Sequence, residues 1–388
     1  MSKLKHKLVL TEEDREMYAA ERLDNFRWIA KVLASYSDVH LTEADRVPLQ
    51  VCKDISEIGQ FAEIVYSSMP IDKLLERYTS LSRPGFPLEG YDALFGSKPE
   101  ASLTGDVAQL PACIFWRQSH RQIVVAICGT KAASQALQDV RVLKTKHPSK
   151  KGWVHTGFWN LYQGLEARLK SALRQALESH GGDVDEVVLT GHSMGGAVAY
   201  LLGIDLLSDS LTAASSTSTP TPGANLDPIL LMGNEAGQRI TLKLVTFGMP
   251  RAGDKELVDH FHSLVDQYQE KVGTQRFIEY SIRTYNDGVP ALPPTGLGYR
   301  HFPKGPIYAT GEHLYYIPHF EAESTLFHVD GGVEDEAPSR FPRGGHNYYG
   351  GRELERLLRR IDWLAKADME KDDDQWEERY LSMAQKKT

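Results

Sequence analysis

Residues 187–196 read Val-Val-Leu-Thr-Gly-His-Ser-Met-Gly-Gly, and this stretch decides the fold class that the sequence predicts. An apolar run precedes the Gly-x-Ser-x-Gly pentapeptide, and a helical pattern follows it. A serine in this setting lies in a tight strand-to-helix turn, where small neighbours avoid clashes with the backbone. The stretch therefore predicts a nucleophile, Ser193, at a helix N-terminus. The Met194 N–H there is the natural donor to a developing oxyanion.

Short apolar runs alternate with helical patterns on both sides of this turn. The predicted strands and helices are Ile123–Ile127, Leu161–Leu177, Val187–Leu189, Ala197–Leu207 and Leu242–Val245. Strand–helix alternation indicates an α/β fold with a mostly parallel central sheet that helices cover on both faces. Open sheets of this kind place their chemistry at the carboxyl ends of the strands.

The two ends of the chain and one internal segment differ from this pattern. Residues 1–50 are predicted as an N-terminal helical extension, because Leu23, Phe26 and Ile29 recur at helical spacing. A packing helix is expected around Ile55–Val65. The domain itself is predicted over 51–365, with a flexible insertion at 208–228 that is rich in Ser, Thr and Pro. Residues 354–364 predict a closing amphipathic helix, and 366–388 a charged, solvated tail.

Composition narrows the partners that the chain can have. The chain has 388 residues and a formal net charge of -8, which gives no basic face for nucleic acid and argues against polybasic docking on an anionic membrane. Three cysteines give no disulfide framework and no metal-ligand spacing. The apolar run Leu8–Leu10 is too short for a signal peptide, and no stretch reaches the roughly 18 apolar residues of a transmembrane helix. A cytoplasmic protein is therefore expected.

Several ordered motifs carry a family resemblance over roughly residues 55–350. They include Cys128-Gly129-Thr130 at the end of an apolar strand and His155-Thr156-Gly157-Phe158. The others are the elbow around Ser193, Val245-Thr246-Phe247-Gly248-Met249-Pro250-Arg251-Ala252-Gly253, Asn286-Asp287-Gly288-Val289-Pro290 and Gly345-His346-Asn347-Tyr348-Tyr349-Gly350. Together they resemble the class 3 (fungal-type) lipase family of the α/β-hydrolase superfamily.

The resemblance implies a catalytic triad and an oxyanion hole. It makes Asp287 the acid, His346 the base and Thr130 the first oxyanion residue, beside Met194. The order Ser, Asp, His is also that of the α/β-hydrolase fold. No metal or organic cofactor is expected, because nucleophile, base and oxyanion donors all lie in the chain.

The sequence departs from the family at two places. Cys128 stands where the family usually has Arg before Gly-Thr, so the oxyanion loop must be supported differently. The lid segment 131–139 has Leu137 as its only large apolar side chain, so interfacial activation is expected to be weak.

Rival residues and rival functions stay open at this point. Asp254 and Asp330 are alternative acids, and His328 is the serious alternative base. The favoured activity is hydrolysis of acylglycerol esters through an acyl-enzyme, with transient contact at a lipid interface. An esterase for small or aromatic acyl esters and a non-catalytic lipase-like scaffold are the alternatives.

Overall fold

The computed structural model describes residues 33–129, 143–215, 228–232, 239–285, 287–310, 313–330, 346–369 and 375–385. Within them the strands, in chain order, are β1 (Tyr36–Leu41), β2 (Lys98–Thr104), β3 (Pro111–Arg117), β4 (Gln122–Ile127), β5 (Lys144–Lys146), β6 (Trp153–His155), β7 (Glu186–His192), β8 (Thr241–Phe247), β9 (Gly253–Asp254), β10 (Phe277–Thr284), β11 (Tyr299–Arg300), β12 (Ile307–Thr310), β13 (His313–Tyr316), β14 (Leu326–Val329), β15 (Tyr348–Tyr349) and β16 (Arg352–Glu353). The helices are α1 (Leu49–Ile64), α2 (Ile71–Glu76), α3 (Tyr78–Leu81), α4 (Thr156–Gln163), α5 (Glu166–His180), α6 (Met194–Ser215), α7 (Lys255–Val272), α8 (Leu354–Lys366) and α9 (Trp376–Gln385).

A central sheet organises the fold. Its order over the described residues is β13-β12-β10-β8-β7-β4-β3-β2. The inner strands β4, β7, β8, β10 and β12 are parallel, and β2, β3 and β13 add antiparallel pairs at the edges. All side chains of β4 and β8 are buried, as continuous apolar strands require when both faces are covered. The predicted α/β-hydrolase fold is confirmed.

Helices cover the two faces of this sheet. Gly59 of α1 packs against Phe247, and Gly203 of α6 packs against Leu244. Because successive side chains of a strand point to opposite faces, Leu244 and Phe247 face opposite ways and the two helices lie on opposite sides. The helix predicted at Leu161–Leu177 is divided into α4 and α5, with Gly164 at the break, where it packs against the backbone of Val107.

The predicted extension and insertion both need correction. Residues 1–32 lie outside the described residues, but Tyr36–Leu41 is a strand, not a helix. Ser37 and Leu41 are buried while their neighbours are more exposed, the period-two pattern of a strand, and β1 pairs in parallel with β14. The insertion does not begin at Ser208, because α6 continues to Ser215. Residues 216–227 lie outside the described part.

The prediction of a solvated tail at 366–388 also needs correction. Residues 376–385 form α9, which packs on the body of the protein with Trp376 and Tyr380 buried. The Tyr380 ring stacks on Phe86 at 4.9 Å, and its hydroxyl donates to the Gly85 carbonyl oxygen at 2.9 Å. Two aromatic side chains four positions apart form one apolar stripe. Burial of this stripe holds the helix on the protein although its other face is charged.

Candidate functional site

Ser193 occupies the turn between β7 and α6. Its φ is +58°, a conformation that costs a residue with a Cβ roughly 1–2 kcal/mol and that the surrounding structure must hold in place. Two hydrogen bonds do so. The Ser193 N–H donates to the Phe247 carbonyl oxygen at 2.7 Å, and the Gly196 N–H donates to the Ser193 carbonyl oxygen at 3.0 Å. The turn is therefore the strained elbow that the pentapeptide predicts.

The glycines of the pentapeptide lie where neighbouring backbone atoms leave no room for a Cβ. A Cβ on Gly195 would lie 2.1 Å from the Ile127 carbonyl oxygen, and one on Gly191 would lie 2.4 Å from the backbone carbon of Gly195. Real Cβ atoms essentially never come that close to backbone atoms. The elbow thus packs directly against the end of β4. That packing brings the turn at Ser193 next to the segment that follows β4.

Asp287 and His346 meet although 59 positions separate them. The His346 Nδ1 lies 3.0 Å from each carboxylate oxygen of Asp287, and both side chains are buried. The Val289 N–H also donates to Asp287 Oδ1 at 2.8 Å, and the Tyr349 hydroxyl donates to Asp287 Oδ2 at 2.6 Å. Three donors therefore satisfy a carboxylate that burial would otherwise leave costly.

The topology explains why these residues converge. Ser193 follows β7, Gly248 follows β8 and Asp287 lies three residues after β10, which are adjacent parallel strands. Gly248 (φ +58°) packs against Asp287, His346 and Tyr349, because a Cβ there would lie 2.6–3.1 Å from their polar atoms. The candidate site lies at the carboxyl ends of the strands, where open α/β sheets bind their ligands.

Two further titratable groups lie in the same buried region. Burial, and then the negative charge of Asp287, raises the pKa of Tyr349 well above its ordinary value, so Tyr349 stays a protonated donor. Burial, and then His346, lowers the pKa of His192 well below its ordinary value, so His192 stays neutral. His192 and Tyr349 both stand in motifs that carry the family resemblance, but the sequence places neither of them in the triad or the oxyanion hole.

Of the two predicted oxyanion residues, Met194 lies in the described part of the chain and Thr130 does not. Thr130 lies outside the described residues, as does the lid segment 131–139. Gly129, which precedes Thr130, lies against Ser193, since a Cβ on it would come 3.1 Å from Ser193 Cβ. Met194 is the first residue of α6 and directly follows Ser193 in the chain.

The rival residues occupy other parts of the fold. Asp254 caps α7 by accepting the Leu257 N–H at 3.0 Å. Asp330 is exposed and lies 3.3 Å from His40 Nδ1. The exposed His328 ring stacks on His40 at 5.2 Å, on the β1–β14 ribbon. These contacts of Asp254, Asp330 and His328 are therefore with residues other than Asp287 and His346. Among the described residues, no group of three or more His, Cys, Asp or Glu side chains has the arrangement of a metal site.

Comparison with known proteins places part of the chain in a family. The family described as lipase (class 3) matches residues 124–297, a range that contains the Ser193 elbow and Asp287. Residues 124–297 belong to the class 3 lipase family. A secreted mono- and diacylglycerol lipase of Fusarium solani is 31% identical over 148 residues, 38% of this chain and 32% of that protein. A phospholipase A1-II of Oryza sativa subsp. indica is 26% identical over 196 residues, 45% of this chain and 42% of that protein.

Solved structures agree with the fold of this class 3 lipase domain. The Rhizomucor miehei lipase propeptide complex superposes with a TM-score of 0.53 at 18% identity, covering 80% of this chain and 83% of that one. The sequence matches to the two named relatives span less than half of their length.

The matches also correct the predicted localisation of the protein. The relative from Fusarium solani is a secreted lipase, and this match overturns the prediction of a cytoplasmic protein.

Among the described residues, the segment Met194–Thr212 has the length and composition of a membrane span, but 78% of it is buried inside the fold. The buried core helix of a folded domain can have the same length and composition.

Proposed function

We propose that this chain hydrolyses fatty-acyl esters of glycerol with Ser193 as nucleophile, His346 as base and Asp287 as acid. The observation that carries the proposal is the strained Ser193 elbow beside a buried His346–Asp287 pair, in which His346 Nδ1 is 3.0 Å from both carboxylate oxygens. The matched relatives are a mono- and diacylglycerol lipase and a phospholipase A1. Substrates of both have acyl groups esterified to glycerol, and that shared chemistry supports the substrate class.

The proposed reaction follows from these roles. Ser193 Oγ attacks the ester carbonyl carbon while His346 Nε2 takes its proton, and Asp287 holds the imidazole through Nδ1–H. The tetrahedral intermediate then expels the alcohol, which takes the proton from His346 and leaves an acyl-enzyme on Ser193. Water repeats the sequence and releases the fatty acid. Met194 N–H and Thr130 are proposed as oxyanion donors.

Labelling with a fluorophosphonate tests the enzymatic proposal against a scaffold. We expect stoichiometric labelling of the protein and none of Ser193→Ala, whose kcat should fall by about 10⁶-fold, as for comparable hydrolases. Retention of more than about one per cent of kcat in the purified variant would exclude Ser193 as nucleophile. A series of p-nitrophenyl and glyceride esters of increasing acyl length separates a lipase from an esterase for small acyl esters.

We also propose the surface through which the protein contacts lipid. The β5–β6 hairpin and the adjacent turn carry the exposed apolar side chains Leu143, Trp153 and Leu297. Lys144 and Lys146 lie among them, at 4.5 Å from the Tyr299 ring and 5.3 Å from the Trp153 ring. The exposed apolar side chains suit a lipid interface, and Lys144 and Lys146 add local positive charge to a chain whose net charge is -8, so the apolar contact dominates.

Vesicle flotation tests this surface. Trp153→Ser should weaken binding to phosphatidylglycerol vesicles and leave kcat on a soluble ester unchanged. Equal binding of both proteins would place the lipid contact elsewhere.

We propose that the lipase domain is wider than 51–365. The N-terminal strand β1 pairs with β14, and α9 packs against the segment that contains Gly85, so elements on both sides of that range share contacts with it. Removal of residues 375–385 should therefore lower Tm.

A further inference from the structure

His192 lies beside the proposed base and contacts it directly. The His192 Nε2 is 2.6 Å from the His346 backbone carbonyl oxygen, and the two ring centroids are 4.4 Å apart. On the other side of the ring, His192 Nδ1 is 2.9 Å from the Tyr66 hydroxyl oxygen. His192 therefore lies between Tyr66 and the backbone of His346, and both of its ring nitrogens are in use.

The chemistry of these contacts fixes the direction of each hydrogen bond. A carbonyl oxygen only accepts, so His192 Nε2 must carry the proton that it donates to His346. In the neutral ring Nδ1 then has a lone pair, and the Tyr66 O–H must donate to it. The His192 carbonyl oxygen is a second, longer acceptor for Tyr66 at 3.4 Å. The result is one directed series, from Tyr66 to His192 to His346.

Tyr66 is itself held at the junction of three segments. It follows the end of α1, where its N–H donates to the Glu63 carbonyl oxygen at 3.1 Å. Its hydroxyl lies against the backbone at Gly129, since a Cβ there would come 2.0 Å from that oxygen. Burial raises the pKa of Tyr66 well above its ordinary value, so the hydroxyl keeps its proton. The series thus begins from a fixed point beside the end of β4.

We infer that Tyr66 and His192 are positioning residues that set the placement of the His346 imidazole through its backbone. This inference deepens the proposed function and rests on it. His346 has its side chain fixed by Asp287 and its carbonyl oxygen fixed by His192, so the ring is held at two points. A displacement of about 1 Å in a reacting group costs up to about 100-fold in rate, which makes such double anchoring worthwhile.

Tyr66→Phe tests the series because it removes only the hydroxyl. We expect kcat on a soluble p-nitrophenyl ester to fall between about 10-fold and 100-fold, with KM within about twofold of the original value. The matched control is Tyr268→Phe, which removes a buried tyrosine hydroxyl that donates to the Ile240 carbonyl oxygen at 3.2 Å, away from the site. Its kcat should not change. Equal kcat for Tyr66→Phe and the original protein, both folded by circular dichroism, would overturn the inference.

A second pair of variants at His192 separates positioning from packing. His192→Gln keeps an N–H donor near the reach of Nε2, whereas His192→Phe keeps the ring shape and removes the donor. We expect Gln to retain more kcat than Phe. The opposite order would mean that the ring packs but does not position.

The downfield NMR resonance of the His346 Nδ1–H proton gives a readout that does not need turnover. It should shift or broaden in Tyr66→Phe and stay in place in Tyr268→Phe. An unchanged resonance in Tyr66→Phe would refute the inference. Failure of the proposed function would look different: the original protein would resist fluorophosphonate and hydrolyse no ester, whatever the variants do to this resonance.

Discussion

Gly248 offers the sharpest test of the site geometry, because a single methyl group added there would meet the proposed acid and base. A Cβ on Gly248 would lie 2.6 Å from Asp287 Oδ2, 2.8 Å from the Tyr349 hydroxyl and 3.1 Å from His346 Nδ1. Ordinary contact begins near 3.4 Å. The Asp287 carboxylate would therefore have to move by about 0.8 Å in Gly248→Ala.

That displacement sets the expected magnitude. A shift of about 1 Å in a catalytic group costs about 100-fold, which is about 2.7 kcal/mol on the barrier. The φ of +58° adds a backbone penalty of about 1–2 kcal/mol to the free energy of folding. We therefore expect Gly248→Ala to lose about 100-fold in kcat on a soluble ester and also to lower Tm.

Gly96→Ala separates the two effects. Gly96 also has positive φ, +72°, but no atom lies within 4 Å of the position that its Cβ would take. It should lose similar thermal stability and keep its kcat. If Gly248→Ala folds and keeps more than half of the original kcat, the placement of Asp287 and His346 beside Gly248 is refuted. The same holds if Gly96→Ala loses as much kcat as Gly248→Ala.

Three other predictions follow from described contacts. His346→Ala should remove nearly all ester hydrolysis and His328→Ala should keep at least a tenth of it, because His346 contacts Asp287 whereas His328 is exposed on β14; a reversed result in steady-state assays would make His328 the base. Tyr349→Phe should lower kcat about 10-fold with KM unchanged, since it removes a charge-assisted hydrogen bond to Asp287, and an unchanged kcat would contradict that role. Burial raises the pKa of Glu279 from 4.5 to about 7, so the folded state binds this proton more tightly than the unfolded state. Stability should therefore fall as pH rises from about 4.5 to 7, and urea titrations of Glu279→Gln should lack this part of the fall.

Local pattern was enough to predict the core of the fold. The β-branched run Ile123–Ile127 became β4 (Gln122–Ile127), and the apolar positions of Ile55–Val65 became most of α1. Both elements bury mainly apolar residues of their own, so the apolar pattern of the sequence indicates which side chains face the core. The α9 helix was missed for the opposite reason, because Tyr380 is buried by Phe86, which lies far away in the sequence.

The candidate site was predictable only in part. The motifs around Ser193, Asp287 and His346 predict that strand ends bring them together, and the structure places His346 and Asp287 in contact. No local signal marks Tyr66, which stands at the end of an ordinary amphipathic helix, 126 positions before its partner His192. Contacts of this separation depend on how α1 packs on the sheet, which residue spacing alone does not show.

The contact between Tyr380 and Gly85 has a consequence for biosynthesis, because 295 positions separate the two residues. A ribosome that adds about 5–20 residues per second needs roughly 15 to 60 seconds to pass from one to the other. Until then the apolar surface around Phe86 lacks the helix that covers it in the finished protein. This surface can therefore be covered only after residues 376–380 have been synthesised.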